Sequence, residues 1–319
     1  MKSGKDSHNQ SSVRINNRRL VLDFIRSANF VTISQITAHI KLSKTTIWKI
    51  IDHLIQKNLV LEAGKAEVPD DVGKKPELFR FNEKYGFVIS IAIFATSIYM
   101  TLTDARVNIF YKEIVHLQGN EPIDFVIEII SEFIAKKQET SSHSYLLGIV
   151  IGSTGVVDTK EGICYTAPKF TSWGGSIPIK KFIEDKITLL APFYIDNSNR
   201  FYAFAEKSLG CAKDHRNIVD IVAGFDGVGA GIIAEDTLKR GPNFLTGEIG
   251  HLRLDPYEKT HCSCGGTGCF EQLISLQKLV NKAESYRKEF PESQIFTDSS
   301  KSITPKIIFQ ASNNGDPLA

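Results

Sequence analysis

Three cysteines and one histidine, close together in the sequence, constrain this chain more than any other feature. Cys262, Cys264 and Cys269 lie within eight residues, and His251 precedes the first of them by eleven. Three thiolates and one imidazole complete a tetrahedral ligand set for Zn²⁺. Three glycines between the cysteines let the backbone turn back so that the sulfurs can meet. The sequence therefore predicts a zinc site, and a metal-free group of buried cysteines is the less favoured interpretation.

The rest of the composition is typical of a protein from a reducing compartment. Five cysteines in 319 residues do not make a disulfide framework. The polar N-terminus lacks the apolar core of a signal peptide, and no apolar run approaches the roughly 20 residues that cross a membrane. We therefore expect a cytoplasmic protein of two or three domains with no membrane partner.

Charge is distributed unevenly along the chain. Residues 1–60 hold ten Lys/Arg and three Asp/Glu, which gives +7, whereas the remainder holds 28 and 33, which gives −5. A basic N-terminal segment on an acidic body indicates that this segment meets a polyanion.

The basic segment has the pattern of a helix-turn-helix. We expect a disordered polar tail over residues 1–12, then a helix over 14–27 and a short helix capped by Ser34. After a tight turn, Ser43 is predicted to cap a third helix that runs to about residue 57. The buried face of this third helix has apolar side chains at i, i+3, i+4 and i+7, namely Ile47, Ile50, Ile51 and Leu54.

The third helix carries residue types that read DNA. In this motif the first residues of the last helix enter the major groove, where lysines contact phosphate or guanine and threonines contact bases. Two predicted strands, at 59–62 and 77–81, flank a loop of the kind that forms a wing. Within this winged helix-turn-helix, residues 13–82, the predicted DNA contacts are Lys44, Thr45, Thr46, Lys49, Lys74 and Lys75. The alternative is a three-helix protein-interaction module with a solvated basic face.

Residues 83–319 alternate strands with helices, which indicates an α/β body. Three apolar runs, at 87–94, 98–103 and 107–114, are separated by short breaks and predict an antiparallel meander. A glycine-rich run, Gly224–Gly231, follows another strand. We interpret it as a tight strand-to-strand turn, because a lone glycine loop is weak evidence for phosphate binding.

Two segments around the cysteines resemble the signature of the ROK family, which unites sugar-responsive bacterial repressors with sugar kinases. They are Gly247-Glu248-Ile249-Gly250-His251 and the Cys-x-Cys-Gly-x-x-Gly-Cys-x-Glu run that ends at Glu271. The resemblance implies a two-lobed, actin-like (ribonuclease H-like) body with lobes of about 83–195 and 196–319. It also implies further helices and a strand beyond residue 319, so the C-terminal lobe is expected to be incomplete here.

The resemblance also implies a sugar pocket. Asn197, Glu248, His251 and Glu271 match family positions that bond sugar hydroxyls, and Ser198 replaces a further sugar contact. His251 would serve twice, with one nitrogen on zinc and the other toward the sugar or a neighbouring carboxylate. Zinc would then be structural and would hold the loop that carries sugar ligands.

Positions that serve phosphoryl transfer in the family differ in this chain. The phosphate loop of the kinases aligns with residues 92–96, where Ala92 replaces an aspartate and Phe94 replaces a glycine. The catalytic aspartate aligns with Ser198, and Asp196 could substitute only if the register shifted by two residues. A serine hydroxyl cannot accept a proton near neutral pH without another base. We therefore expect no kinase activity.

Together these observations predict a ROK-type transcriptional repressor. Its winged domain would bind operator DNA, and its zinc-stabilised body would bind a sugar or sugar derivative, within a homodimer or higher homo-oligomer. Two alternatives stay open. One is an ATP-dependent sugar kinase with an appended DNA-binding domain, and the other is a repressor that is ligand-blind or regulated by a protein partner.

Overall fold

The structure is a computed structural model that describes residues 4–67, 75–139, 145–166, 173–224, 227–297 and 302–319, with the backbone alone over 4–11. The chain divides into two compact units. One comprises residues 1–89, 101–112 and 137–148, and the other comprises residues 90–100, 113–136 and 149–319. No helix in the described part of the chain is long and apolar enough to cross a membrane.

The N-terminal elements form three helices and a small sheet. They are α1 (Gly4–Ser27), β1 (Val31–Thr32), α2 (Ile33–Ile40), α3 (Lys44–Gln56), β2 (Val60–Lys65) and β3 (Glu77–Phe81). The strands pair antiparallel in the order β1-β3-β2. Three helices followed by a two-stranded ribbon are the elements of a winged helix-turn-helix.

The first helix differs from its prediction. It starts at Gly4, so residues 4–12 are helical instead of forming the predicted disordered tail, and residues 1–3 lie outside the described part. Among the α1 side chains that the structure describes, residues 12–27, Val21 and Ile25 alone are fully buried, whereas Ile15 is 65% exposed and Leu20 is 47% exposed. Ile15 and Leu20 therefore contribute little to the core, although their spacing suggested a helix.

The caps of α2 and α3 follow from local side-chain chemistry. Thr32, and not the predicted Ser34, caps α2, because the Thr32 hydroxyl accepts from the Gln35 N–H while the Gln35 side chain accepts from the Thr32 N–H. Lys41 ends α2 in the left-handed conformation (φ 58°). Ser43 caps α3 as predicted, since its hydroxyl accepts from the Thr46 N–H at 3.2 Å.

The predicted buried face of α3 is confirmed. Ile47 and Ile51 are fully buried, and Ile50 and Leu54 are nearly so. They pack in one core with residues of the other N-terminal elements, which are Val21, Ile25, Val31, Ile36, Val60, Phe79 and Phe81. Burial of this set fixes which side of α3 faces outward.

The body contains the remaining elements. They are β4 (Gly86–Phe94), β5 (Ser97–Asp104), β6 (Ile109–His116), α4 (Ile123–Glu139), β7 (Tyr145–Ser153), β8 (Val156–Asp158), β9 (Ile163–Thr166), α5 (Ile179–Glu184), β10 (Phe193–Asn197), α6 (Ser198–Ser208), β11 (Ile218–Gly224), β12 (Gly227–Ala234), β13 (Thr237–Leu238), α7 (Phe270–Ile274), α8 (Leu276–Ser285) and α9 (Pro305–Asn313). Short 3₁₀ helices span Glu83–Tyr85, Ile249–His251 and Gln294–Phe296.

The larger sheet has the strand order β10-β7-β4-β5-β6. The three predicted strands are present as β4, β5 and β6, but β6 starts at Ile109 because Val107 adopts a left-handed conformation (φ 70°) in the preceding turn. β10 pairs parallel with β7, and Ser153 lies opposite Asn197. Adjacent parallel strands thus end side by side, which is where α/β sheets place ligands.

The smaller sheet has the order β11-β12-β13. Its first two strands pair antiparallel, with Ile218 opposite Ile233 at one end and Gly224 opposite Gly227 at the other. The glycine-rich run therefore joins two neighbouring strands. This agrees with the predicted strand-to-strand connection, although residues 225–226 lie outside the described part. Gly231 lets α6 approach, since a Cβ there would lie 2.4 Å from both the Ala203 side chain and the Asn199 backbone.

A separate apolar cluster unites α8, α9 and the last 3₁₀ helix through Ala283, Ile295, Phe296, Ile308 and Ala311.

Candidate functional site

The four predicted metal ligands converge in the structure. The ligand atoms of His251, Cys262, Cys264 and Cys269 all lie within 4.8 Å of one another. The Nδ1 of His251 is 3.4 Å from the Sγ of Cys262, and the sulfurs of Cys264 and Cys269 are 3.6 Å apart. Two sulfurs bound to one tetrahedral Zn²⁺ are separated by about 3.8 Å. The donor set and its spacing therefore fit a tetrahedral metal such as zinc.

The backbone brings these ligands together through tight turns. The Gly265 N–H donates to the Cys262 carbonyl and the Cys262 N–H donates to the Gly266 carbonyl, both at 2.9 Å. Gly268 has φ 70°, and a Cβ there would lie 1.7 Å from the Asp255 carbonyl oxygen, so only glycine fits. Cys269 is the N-terminal flanking residue of α7. The glycines between the cysteines thus have the role that the sequence predicted.

Burial and hydrogen bonding shift the pKa values of two of the thiols in opposite directions. Burial raises the pKa of the Cys269 thiol to about 12, whereas the backbone N–H of Gly266 lowers the pKa of Cys264. The Cys262 thiol lies 3.4 Å from Oε1 of Glu271 as well as facing His251. A cation in this site would replace the thiol protons, because thiolates are the form that binds metal.

Two carboxylates lie against this cluster. Glu271, on α7, accepts a hydrogen bond at Oε2 from the Val228 N–H at 3.3 Å, which ties α7 to β12. Glu248 immediately precedes the 3₁₀ helix that ends at His251. Burial raises the pKa of the Glu248 carboxyl, and the nearby Arg200 guanidinium opposes that rise. Glu248, His251 and Glu271 are therefore neighbours, as a common pocket requires.

Asn197 and Ser198 lie where β10 passes into α6. Asn197 caps α6, because its side-chain oxygen accepts from the Asn199 N–H at 2.8 Å, and its side-chain N–H donates to the Gly155 carbonyl at 2.7 Å. Ser198 is the first residue of α6, and its buried Oγ has no hydrogen-bond partner within the described residues. An unpartnered buried hydroxyl is costly unless a ligand or water satisfies it. Ser198 is thus suited to bonding a ligand hydroxyl.

Glycines in β12, and Gly250 in the 3₁₀ helix beside it, let both groups of residues approach the same strand. A Cβ on Gly229 would lie 2.1 Å from the Asn199 side chain, and one on Gly250 would lie 2.1 Å from the Val228 carbonyl. A Cβ on Gly227 would lie 2.4 Å from the Glu271 carboxylate. The N-terminal end of α6 and the segment 248–251 therefore pack around one glycine-rich strand. This role of the glycines was not predicted from the sequence.

A buried ionic network that was not predicted from the sequence lies beside Asn197. Asp196 is 2% exposed, and its two oxygens accept from Arg200 and Arg240, each at 2.8 Å. Arg200 is 1% exposed, and it also donates to the carbonyls of Phe244 and Thr246. A carboxylate held by two guanidiniums is poorly placed to take a proton from a substrate, so Asp196 offers no ready replacement for a catalytic base. Asp196 and Arg200 are only four residues apart, but their contacts with Arg240 and Phe244 span 44 residues, so local sequence does not indicate the full network.

The region aligned with the kinase phosphate loop lies at the end of β4 in the structure. Ala92 and Phe94 are strand residues, and the Phe94 ring packs edge-on against Tyr99 with ring centroids 5.8 Å apart. Phe94, which the resemblance aligned with a glycine of the kinase phosphate loop, therefore packs against a neighbouring aromatic side chain. Trp173 is 6% exposed, and its indole N–H donates to the Glu121 carbonyl at 3.1 Å, so Trp173 is a core residue.

The predicted DNA contacts on α3 are exposed at its N-terminal end. Lys44, Thr45 and Lys49 are exposed, and Thr46 is partly exposed. The Ser43 hydroxyl lies 2.9 Å from the Thr45 hydroxyl and 2.8 Å from the Thr46 hydroxyl, so the cap orients both threonines. Lys75 follows the wing loop and is exposed, whereas Lys74 lies outside the described residues.

Trp48 belongs to the same surface and was not predicted. Its side chain is 44% exposed, and its ring packs edge-on against Phe79 of β3 with centroids 5.8 Å apart. Trp48 is four residues after Lys44 and three after Thr45, so it shares their side of α3. This helical spacing is the sequence feature that could have identified Trp48 as part of the surface. An aromatic ring on this surface links α3 to the strand that follows the wing.

Comparison with solved structures defines the fold class. A crystal structure of a ROK family transcriptional regulator, a homologue of the Escherichia coli Mlc protein, matches 96% of this chain and 75% of its own length with a TM-score of 0.73 and 23% identity. A ROK family glucokinase from Streptomyces griseus, in complex with glucose and AMPPNP, matches 73% of each chain with a TM-score of 0.61 and 27% identity. The predicted architecture, a winged helix-turn-helix joined to an actin-like ROK body, is confirmed.

Sequence comparison defines the family. The ROK family model matches residues 88–319, and the chain belongs to the ROK family. The xylose repressor of Bacillus spizizenii is 30% identical over 287 residues, which cover 89% of this chain and 72% of the relative. The DNA-binding transcriptional repressor Mlc of E. coli is 26% identical over 88% of this chain and 67% of its own length. A glucokinase of Halalkalibacterium halodurans is 33% identical over 56% of this chain and 53% of its own length.

Proposed function

We propose that this protein is a sugar-responsive transcriptional repressor that acts in the cytoplasm. The N-terminal domain would bind operator DNA, and the body would bind an aldose or aldose derivative and thereby change operator affinity. The observation that carries the proposal is the match along most of this chain to a xylose repressor and to a DNA-binding transcriptional repressor, together with an exposed basic helix end on a winged fold. The glucokinase relatives match a smaller share of the chain.

DNA binding would use the start of α3 and the wing. The exposed lysines of α3 would neutralise phosphates or contact guanine, and the threonines that Ser43 orients would contact base edges. Trp48 would pack on the sugar-phosphate backbone beside them. Lys74 and Lys75 stay predicted wing contacts. Repressors of this kind bind two half-sites related by symmetry, so we also propose a homodimer.

Sugar binding would use residues on both sides of β12. Asn197 and Ser198 supply an amide and an unpartnered hydroxyl, and Glu248 and Glu271 supply carboxylates. His251 would bind zinc through Nδ1, which faces Cys262, and would leave Nε2 for the ligand. Zinc bound by the three cysteines and His251 would hold this loop in place and has no chemical role in the proposal.

A repressor without kinase activity is the favoured form of this proposal. Ser198 replaces the base, Asp196 is held by two arginines, and Phe94 packs against Tyr99 where a glycine would approach phosphate. The alternative is a repressor that a protein partner regulates, and it stays open because Ser198 replaces one of the family's sugar contacts.

The test is selection of binding sites from random DNA duplexes with the purified protein, followed by affinity measurement on the selected site. We expect a symmetric sequence bound with nanomolar affinity at moderate salt, as is typical of specific binders. A variant lacking residues 1–80 should lose this binding. Retention of specific DNA binding by that variant would contradict the assignment of the winged domain.

A further inference from the structure

Arg200 is a buried cation at an unusual place. It lies in the first turn of α6, where the helix dipole disfavours positive charge, and its side chain is 1% exposed. Removing a guanidinium from water is costly unless protein acceptors replace the water. Arg200 has three hydrogen-bond acceptors, one four residues before it and two more than 40 residues after it.

The first partner is Asp196, which directly precedes the candidate sugar residue Asn197. Its Oδ1 accepts from Arg200 at 2.8 Å, and its Oδ2 accepts from Arg240 at 2.8 Å. The other two partners are the carbonyl oxygens of Phe244 and Thr246. One guanidinium thus joins the end of β10 to the segment 240–247, which leads directly into Glu248.

Three residues of this segment have positive φ values. Gly241 and Gly247 have positive φ values of 72° and 99°, and Phe244 adopts φ 58°, a left-handed conformation that disfavours a side chain of this kind. At its far end the segment is fixed to β12, because the Ala230 N–H donates to the Gly247 carbonyl at 2.8 Å. Between those ends, the contact with Arg200 is made at Phe244 itself, where the strain lies.

We propose that Arg200 is a positioning residue that clamps the strained segment 240–247 against the end of β10 and thereby fixes Glu248 opposite Asn197 and Ser198. The clamp makes the two parts of the candidate sugar site one rigid unit. The inference deepens the proposed function and rests on it for the sugar, but the clamp itself is a property of the loop that can be tested without any ligand.

The test compares Arg200→Lys and Asp196→Asn with the wild-type protein under limited trypsin digestion. Lysine keeps the charge but cannot reach three acceptors at once, and asparagine leaves one oxygen for two guanidiniums. Trypsin can cut after Lys239 and after Arg240 when the segment opens. Mass spectrometry should show cleavage at these two bonds that is about tenfold faster in Arg200→Lys, as expected for the loss of about one charge-assisted hydrogen bond, with a smaller increase in Asp196→Asn.

A matched control is Arg216→Lys. Arg216 also pairs with an aspartate, Asp236 at 3.0 Å, but it is 70% exposed and its guanidinium is bonded to the turn after β12. The Arg216→Lys variant should be cleaved after residues 239 and 240 at the wild-type rate. Both clamp variants should keep their zinc and their operator affinity, and their D-xylose or D-glucose affinity should fall about tenfold, the effect of one lost positioning contact.

Wild-type cleavage rates after residues 239 and 240 in both variants would overturn the clamp. So would acceleration spread evenly over all tryptic sites, which would indicate a general loss of stability. If Arg200→Lys does not fold, Asp196→Asn decides by the same criteria. If the wild-type protein binds neither sugar, that result counts against the proposed function, and the digestion pattern still decides the clamp.

Discussion

The Nδ1 of His251 lies 3.4 Å from the Sγ of Cys262, although eleven residues separate them along the chain. The stretch between them is paired with the segment that follows Cys262, because the Gly268 carbonyl accepts from the N–H groups of both Leu254 and Asp255. The imidazole and the thiol therefore face each other because of backbone pairing, before any metal is considered. This geometry links the metal centre to the segment that carries Glu248.

We expect the purified protein to hold about one zinc per chain, by the tetrahedral ligand count. Cys264→Ser should lose most of this zinc and lower the free energy of unfolding by about 2 kcal/mol or more, because metal binding energy is available only to the folded chain. Elemental analysis and thermal melting measure both effects. Cys211→Ser, at an exposed cysteine outside the cluster, is the control and should keep its zinc. A metal-free, fully folded wild-type protein would contradict this prediction.

Lys44→Ala and Lys49→Ala should each weaken operator binding. If the lost contact is to phosphate, the slope of log affinity against log salt should fall by about one unit. Fluorescence anisotropy at several salt concentrations gives both quantities. Lys57→Ala, at the opposite end of α3, is the control. Equal losses in all three variants would mean that the start of α3 has no special role.

Ser43→Ala should have two separable effects. Loss of the α3 cap should destabilise the N-terminal domain by about 1 kcal/mol. It should also weaken operator binding, since the Thr45 and Thr46 hydroxyls lose the partner that orients them. Ser275→Ala removes the equivalent cap of α8 and should destabilise the body while leaving operator affinity unchanged. Unchanged operator affinity in folded Ser43→Ala would show that the threonines need no such support.

Glu235→Asn should stabilise the body. Glu235 and Asp236 form the turn between β12 and β13 with φ values of 52° and 59°, and asparagine tolerates this conformation better than glutamate. The expected gain is about 0.5 kcal/mol in the free energy of unfolding, measured by urea denaturation. Asp236 should be left in place, because it pairs with both Lys207 and Arg216. A loss of stability would mean that the Glu235 side chain has a contact that outweighs its backbone strain.

The protein should not release ADP when incubated with ATP, Mg²⁺ and a panel of sugars. Catalysis on this fold needs organised phosphates and a base, and restoring one alone, for example by Ser198→Asp, should therefore not restore turnover. A coupled assay for ADP measures the outcome. Sugar-stimulated release that Glu248→Ala abolishes would favour the kinase.

Local patterns predicted the parts of this protein that depend on local chemistry. The buried face of α3 follows from helical periodicity, and Ser43 is a cap because it precedes that face. The four metal ligands could be named because glycine spacing and ligand type identify such a site within a short stretch. The α2 cap was misplaced by two residues, since both Thr32 and Ser34 can cap and only the Gln35 contact distinguishes them.

Contacts between distant segments could not be predicted. Nothing near Arg200 in the sequence indicates that it reaches Phe244 and Thr246, and a first-turn arginine would ordinarily be solvated. Likewise, the glycines of β12 suggested a turn, while three of them admit neighbouring backbone or side chains. Trp48 was overlooked because an aromatic residue on a helix is most often a core residue, and its exposure depends on how β3 packs against α3.

The measurement that tests the account most directly is a titration of aldoses, including D-xylose and D-glucose, into the complex of this protein with its selected operator. We expect at least one sugar to change the operator dissociation constant by about tenfold, within the usual range of coupling between two sites. Glu248→Gln should abolish this change without altering operator affinity in the absence of sugar. Operator binding that no sugar alters, in a protein whose melting temperature no sugar raises, would contradict the claim that this repressor responds to sugar.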